Sequence, residues 1–478
     1  MDRRALAKVA EKCSSSGPRG VVGTAAPEAA AIGRDAFRDG GNAFDAALAA
    51  ALAETVLAPS KCGLAGDVVA LCQRPGQPPK ALLAIGPAAA GLAPAVTSAG
   101  ALPITGGLSV GVPGAPCGYA ALAELGTLGM ARAIGPALEL ATKGFAWSVV
   151  NADYARVAHR LLAEQNPDGT VYLPGGRVIE PGTHVVAAGL ARVLVEFEQR
   201  GAQLYSGPLG AALVAEVESR GGVLRQSDLD RAAAHWENAS SAIVRGRRVW
   251  TTPLPTHGPS LLRALSAADG STDAGTLWQA VDRSVRERQV AAGDPVGDGG
   301  TSVITAADAL GNAVVVVHSN SHPTFASGIV VAHYDLVLSN RAGRGFSPVA
   351  GHPNFPHPAR RPVTTLHAWA TGPADGPAEV FGATSGGENQ MPWNAQVIRR
   401  LGTGVSAQTA VLEPRWGRAD RATEIEDGFA ERAALAALTP VTDVPIWALQ
   451  SGMQVLQVQA PLCTVTSDIR SVGGTASW

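Results

Sequence analysis

Four β-branched runs in the second half of the chain set the strongest limit on its fold. TSVITAAD, GNAVVVVHSN, GIVVAHYDLVLSN and PAEVFGATSGG are parted by Gly, Asn and Pro, the pattern of a central sheet. Helical punctuation lies mainly before them. GGNAFDAALAAALAETVLAPS opens after two glycines and closes at Pro59, and the stretches from Leu190 to Arg200 and from Leu209 to Arg220 read the same way. Segment 266–300 is the most loop-like part, with a helix, TLWQAVDRSVRERQ, between its two loops. Helices outside and strands within, in alternating blocks, argue a layered α/β or α+β fold.

The balance of residues narrows the partners. Hydrophobic residues make up 46% of the 478 and charged residues 16%, with a net charge of -2, which excludes a disordered tail and a basic nucleic-acid surface. Small molecules or other protein chains remain. The longest apolar tract, AFDAALAAALAETVLA, carries Asp45 and Glu54 and is too short to span a bilayer. The opening MDRRALAKVAEKCSSSG lacks the apolar stretch of a secretory signal, so a cytoplasmic location is expected. The five cysteines (Cys13, Cys62, Cys72, Cys117, Cys463) are scattered, odd in number and without a CxxC pair, so they read as reduced packing residues. Neither a disulfide framework nor a zinc site is indicated, and no cofactor is expected.

Several segments in unbroken order resemble the gamma-glutamyltransferase family. GVVGTAAPEAAAIGRDAFRDGGNAFDAALAAALAETVLAPSKCGLAGD is similar to its opening helix and Gly-rich turn, and GGLSVGVPGAPCGYAALAELGTLG with GPALELATKGFAWS to its VGVPG and GFxVS region. GAQLYSGPLGAALVAEVESRGGVLRQSDL, RGRRVWTTPLPTHGPS, TSVITAADALGNAVVVVHSN, RPVTTLHA, GATSGGENQ, EPRWG and TSDIRSVGGTASW continue it to the end of the chain. The resemblance implies an α+β fold, the four-layer αββα sandwich of N-terminal-nucleophile hydrolases. It also implies a precursor that cuts itself into segments 1–300 and 301–478, which stay together as a heterodimer; pairing of two such heterodimers is left open.

The family's nucleophile is a Thr that opens a strand ten residues before the Gly of a D-G-N-A-V turn. Thr301 stands ten residues before Gly311, with Asp308 on the motif's Asp. The cleavage site would be the Gly300–Thr301 bond, and Gly299 and Gly300 suit it because glycine adopts strained backbone conformations cheaply. Cleavage frees an α-amine with a pKa of about 8, close enough to act as the base for the hydroxyl of the same residue. Read without the resemblance, Thr301 is a strand residue after a Gly loop. Ser319 falls where the family keeps a second hydroxyl beside the nucleophile. Gly386 and Gly387 match its Gly-Gly pair, whose N–H groups line an oxyanion hole. Thr364 and Thr365 match a pair of serines that contact the substrate carboxylate. Glu388, Asn389 and Gln390 are candidates to line the same pocket, with loop capping as the alternative.

The sequence departs from the family where a gamma-glutamyl group is recognised. The family's R-E-x-A-P stretch reads LLAIGPAAAG, and no Arg lies between Leu82 and Gly91. Its N-N-x-M-D-D-F-S stretch reads SNRAGRGFS, with Asn340 kept and Arg344 and Gly345 in place of the acidic pair. A substrate ammonium would meet a cation there. The family's Asn after the nucleophile hairpin maps to Asn320, Ser321 or His322. Arg341, Arg344 and His322 suit a pocket for a carboxylate or dicarboxylate. Two divergent branches fit: hydrolases that cut a carbon–carbon bond and release an oxalyl fragment in 4-alkylproline antibiotic pathways, which the reading favours, and amide hydrolases that act on oxamate. Residual gamma-glutamyl hydrolysis or transfer, and an uncleaved structural homologue without activity, are the alternatives.

Overall fold

The computed structural model describes residues 13–293, 300–459 and 462–478; the opening residues 1–12 and Gly299, on which two of the expectations rest, lie outside the described residues. Two seven-stranded sheets, antiparallel throughout, form the centre. In one, the strands run in the order Gly474–Ser477, Gly20–Thr24, Gly300–Asp308, Ala313–Ser321, Asp67–Gln73, Lys80–Ala84, His235–Asn238. The other runs Ser14–Gly17, Leu462–Ser467, Gln454–Gln459, Val380–Ala383, Trp369–Pro373, Arg247–Thr251, Ser240–Val244.

Period two explains why the sheets stack. Along Gly300–Asp308 and Ala313–Ser321, Ile304, Ala306, Val314 and Val316 face a helical layer, while Val303, Ala307, Val315 and Val317 face the second sheet. A strand apolar on both faces is stable only when both are covered. Trp250, Phe381, Leu456 and Val465 of the second sheet complete the inner core. On its outer face lie the helices Gly258–Ala267, Ala274–Ala292 and Gln390–Leu401. The result is the expected αββα order of layers.

The helix Ala43–Leu57 is the keystone of the first helical layer, with all 15 residues buried. Asn42 and Asp45 cap its start reciprocally, and Asp308 Oδ2, from the hairpin of Gly300–Asp308 and Ala313–Ser321, accepts the Ala43 N–H at 2.9 Å. The motif's Asp thus fixes the central helix to the hairpin.

One expectation is incomplete and one needs correction. Most strands lie in the second half, as expected, but the central sheet also takes Gly20–Thr24, Asp67–Gln73 and Lys80–Ala84 from the first third, and Asp67–Gln73 is buried at every position. GIVVAHYDLVLSN is not one strand but two short ones, Val330–Val331 and Leu336–Val337, joined through a 3-10 turn at Ala332–Tyr334 and a left-handed Asp335. Asp335 tolerates that conformation and its carboxylate accepts the Gly189 N–H at 2.6 Å. No helix among the described residues is long and apolar enough to cross a membrane.

Candidate active site

Thr301 sits in a β-bulge. Gly300 pairs with Ser321 and Ser302 with His318, so the register slips by one and Thr301 alone faces Ser319 and Asn320. Thr301 Oγ1 donates to Ser319 Oγ at 3.2 Å; Ser319 Oγ donates to the Gly300 carbonyl at 2.5 Å and accepts the Ser321 N–H at 2.8 Å. A continuous path therefore runs from the hydroxyl of Thr301 to the carbonyl that this hydroxyl would attack. Ser321 has φ of 80°, a conformation that costs on the order of 1 kcal/mol or more for a residue with a Cβ. Space at 300 is tight: a Cβ there would lie 3.0 Å from the Ser60 carbonyl oxygen and 3.1 Å from that of Ser321.

The opposite face of the same hairpin carries a buried polar network. Glu54, from the keystone helix, accepts Ser302 Oγ–H, His318 Nε2 at 3.0 Å and the Ala25 N–H at 2.7 Å, and Tyr119 O–H meets His318 Nδ1 at 2.7 Å. Ser302 and His318 are the pair directly across the ladder next to the bulge. Glu54, Cys62 and His318 bring donor atoms within 4.8 Å of one another, the spacing of a metal seat. Two observations favour hydrogen bonding there: Glu54 and His318 already bond each other, and burial pushes the Cys62 thiol well above its ordinary range, away from the thiolate a metal needs.

Gly386 and Gly387 form the turn at the end of Val380–Ala383, with φ of 124° and 53°. A Cβ on Gly386 would come 2.2 Å from the Trp393 ring. Trp393 is held in turn by the Arg415 guanidinium, 4.1 Å from its ring centre, and Arg415 is bound to Asp468 at 3.1 Å. The EPRWG and TSDIR segments therefore meet as a buried ionic support beneath the turn.

Between turn and bulge lies a cleft lined by Thr301, Ser319, Ser321, His322, Arg341, Arg344, Thr364, Thr365, Gly387 and the aliphatic Val363 and Leu366, with Arg288 at its wall. Its volume is about 30 Å3. That is room for one or two waters. Arg341 Nε donates to Asp67 Oδ2 at 2.6 Å while its Nη2, buried, has no partner among the described residues. Burial pushes the Asp67 carboxyl up, and the Arg341 guanidinium works against that rise. Burial, with Arg344 adding to it, lowers His322 to about 4, so its ring is neutral at neutral pH.

The other expected residues are distributed more widely. Of the three candidates after the hairpin, Ser321 and His322 line the cleft, whereas the Asn320 amide turns to the Pro59 carbonyl at 3.3 Å. Asn340 ties two loops, donating to the carbonyls of Ile104 and His322 at 2.6 Å each. Glu388 is bonded to Arg288 at 3.0 Å. Asn389 does not line the cleft; its amide pairs both ways with the Arg418 backbone, the capping alternative, and Gln390 reaches Thr365 Oγ1 at 3.3 Å. Arg288 is the residue that sequence reasoning missed. A signal existed, since it continues the buried stripe Leu277, Val281, Ser284, Val285 of its helix, where an arginine needs a partner.

A family model described as gamma-glutamyltranspeptidase matches residues 29–290 and 271–478. The chain belongs to this family. It is 25% identical over 490 residues to a glutathione hydrolase proenzyme of Bacillus subtilis, with 84% of this chain and 80% of that protein covered. Over a shorter stretch it is 31% identical, across 310 residues, to an acylase ACY 1 proenzyme of a Pseudomonas strain, covering 60% of this chain and 56% of that one. Among solved structures, a cephalosporin acylase from Bacillus halodurans superposes with a TM-score of 0.87 at 26% identity, over 97% of both chains. The fold is thus that of the family's N-terminal-nucleophile hydrolases and acylases, and the chain is a hydrolase or acyltransferase of that kind.

Proposed function

We propose that the chain cuts itself between Gly300 and Thr301 and that the mature enzyme carries an acyl group on Thr301 Oγ1, taken from a substrate other than a gamma-glutamyl compound. The observation that carries this reading is the hydrogen-bond path Thr301–Ser319–Gly300 across the bulge. As Thr301 Oγ1 attacks the Gly300 carbonyl carbon, its proton passes to Ser319 Oγ, whose own proton passes to the carbonyl oxygen. As the carbonyl re-forms, that oxygen gives up its proton, the leaving nitrogen takes one up and the C–N bond breaks, leaving an ester that water hydrolyses and a free Thr301 amine. In the mature site that amine takes the proton of Thr301 Oγ1 during attack on substrate. The N–H groups of Gly386 and Gly387 are assigned to the developing oxyanion.

The bond cut is read as carbon–carbon, with release of an oxalyl fragment in 4-alkylproline antibiotic biosynthesis. Both elements that hold glutamate in the family are changed here, to LLAIGPAAAG and SNRAGRGFS. Amide hydrolysis is the second reading, supported by the relatives named acylase and glutathione hydrolase. The test is intact mass of the purified protein, followed by exposure to oxalyl, oxamate and gamma-glutamyl compounds. Fragments of 300 and 178 residues and an oxalyl-sized adduct on Thr301 are expected. A full-length protein that is nonetheless active, or brisk turnover of glutathione with no reaction toward oxalyl or oxamate compounds, would overturn it.

A further inference from the structure

Arg288 and Arg341 enter the same cleft from the two sides of the cleavage site, and each is more than nine-tenths buried. Each has a single carboxylate neighbour: Glu388 for Arg288 at 3.0 Å and Asp67 for Arg341 at 2.6 Å. The Arg341 pair leaves part of its guanidinium edge over. Arg341 Nη2 is a buried donor without a hydrogen-bond partner among the described residues, whereas the unpaired atom of the Arg288 pair is an acceptor, Glu388 Oε2. A guanidinium has five N–H donors in a planar fork, and a buried donor left unpaired is costly, so such an edge calls for a planar anion with two acceptor oxygens. The cleft opens on Thr301, so that anion belongs to the group being transferred.

We propose that Arg288 and Arg341 form a two-arginine seat for a free carboxylate on the acyl half of the substrate, one arginine coming from each fragment of the cut chain. The inference rests on the acyl-Thr301 reading above and adds the residues that choose the acyl group. Arg288 lies at the end of Ala274–Ala292, and Arg341 opens the short helix Arg341–Gly345. The seat therefore arises on elements other than the arginine-free stretch between Leu82 and Gly91.

The test uses mature protein and p-nitroanilides of oxalic, succinic and glutaric half-acids, each beside a neutral acyl anilide of equal length, read as turnover or as adduct mass on the small fragment. At least one half-acid should exceed its neutral match by about 30-fold or more in kcat/KM or in acylation rate. Arg288→Gln alone strands Glu388, so the decisive variant is the double change Arg288→Gln with Glu388→Gln, which removes both charges together. It should reduce the half-acid to neutral ratio by about 10-fold or more, chiefly through KM, and Arg288→Lys should restore part of that preference. A ratio near one in the unaltered enzyme, or a ratio that the double variant leaves in place, overturns the carboxylate seat while the acyl-Thr301 reading stands. Absence of reaction with every acyl compound overturns both.

Discussion

Ser319→Ala should stall self-cleavage without unfolding the protein. Ser319 Oγ accepts the Thr301 Oγ1 hydrogen bond and donates to the Gly300 carbonyl, the oxygen on which negative charge would develop in the proposed cleavage. Loss of one such donor slows acyl transfer by about 10²–10³, or roughly 3–4 kcal/mol of barrier. The stability effect is smaller: the Ser321 N–H loses its acceptor, a cost of about 1–3 kcal/mol for a buried group. The variant should therefore purify as one 478-residue chain with a cooperative melt, and release the 178-residue fragment over a period two to three orders of magnitude longer in time-resolved intact mass. Ser319→Thr, which keeps the hydroxyl, should cleave within about tenfold of the native rate. Native-speed cleavage by Ser319→Ala would refute the relay and place the proton path elsewhere.

Thr301→Ala should remain uncut and inactive because it lacks the attacking oxygen, whereas Thr301→Ser should cleave; both are read by gel and mass. Gly386→Ala should abolish turnover and lower the melting temperature, since its Cβ would enter the Trp393 ring and its φ of 124° is foreign to alanine. Acid should destabilise the fold through His367, whose ring is kept neutral by burial, with Nδ1–H donating to the Thr365 carbonyl and Nε2 accepting from Asn394. Its pKa falls from 6.5 to about 4, so the unfolded chain binds the extra proton: stability is intact above about pH 6.5 and declines between 6.5 and 4, by about 3 kcal/mol from this residue. Urea unfolding at pH 7, 5.5 and 4.5 measures it; equal midpoints at all three would contradict that buried neutral state.

The hairpin of Gly300–Asp308 and Ala313–Ser321 was legible because its two strands and the turn at Asp308–Gly311 are contiguous, so the family motif could be laid on it residue by residue and brings Thr301 beside Ser319. The keystone helix was legible from its breakers. Arg288 and Glu388 are 100 residues apart and Glu54 and His318 are 264 apart, and no local pattern encodes such meetings. The early strands escaped for another reason: DVVALCQ is covered on both faces, so it lacks the alternation that marks a half-exposed strand. Asn340 and Asn389 illustrate a third limit, since a polar side chain near a site can be spent on backbone carbonyls and amides.

The placement of Gly300–Asp308 has a consequence for how the protein can be made. That strand lies between Gly20–Thr24 and Ala313–Ser321, and the second sheet likewise mixes strands from both sides of residue 300. While the bond at 300 is intact, folding is a one-molecule reaction whose rate is indifferent to dilution. Under the proposed cleavage at 300, a denatured sample must bring two fragments together by diffusion and insert the hairpin of Gly300–Asp308 and Ala313–Ser321 between Gly20–Thr24 and Asp67–Gln73, so recovery becomes concentration-dependent. An uncleavable Thr301→Ala chain and the mature pair, diluted from urea in parallel, should therefore part ways: the first regains its structure at any dilution, and the second only when concentrated.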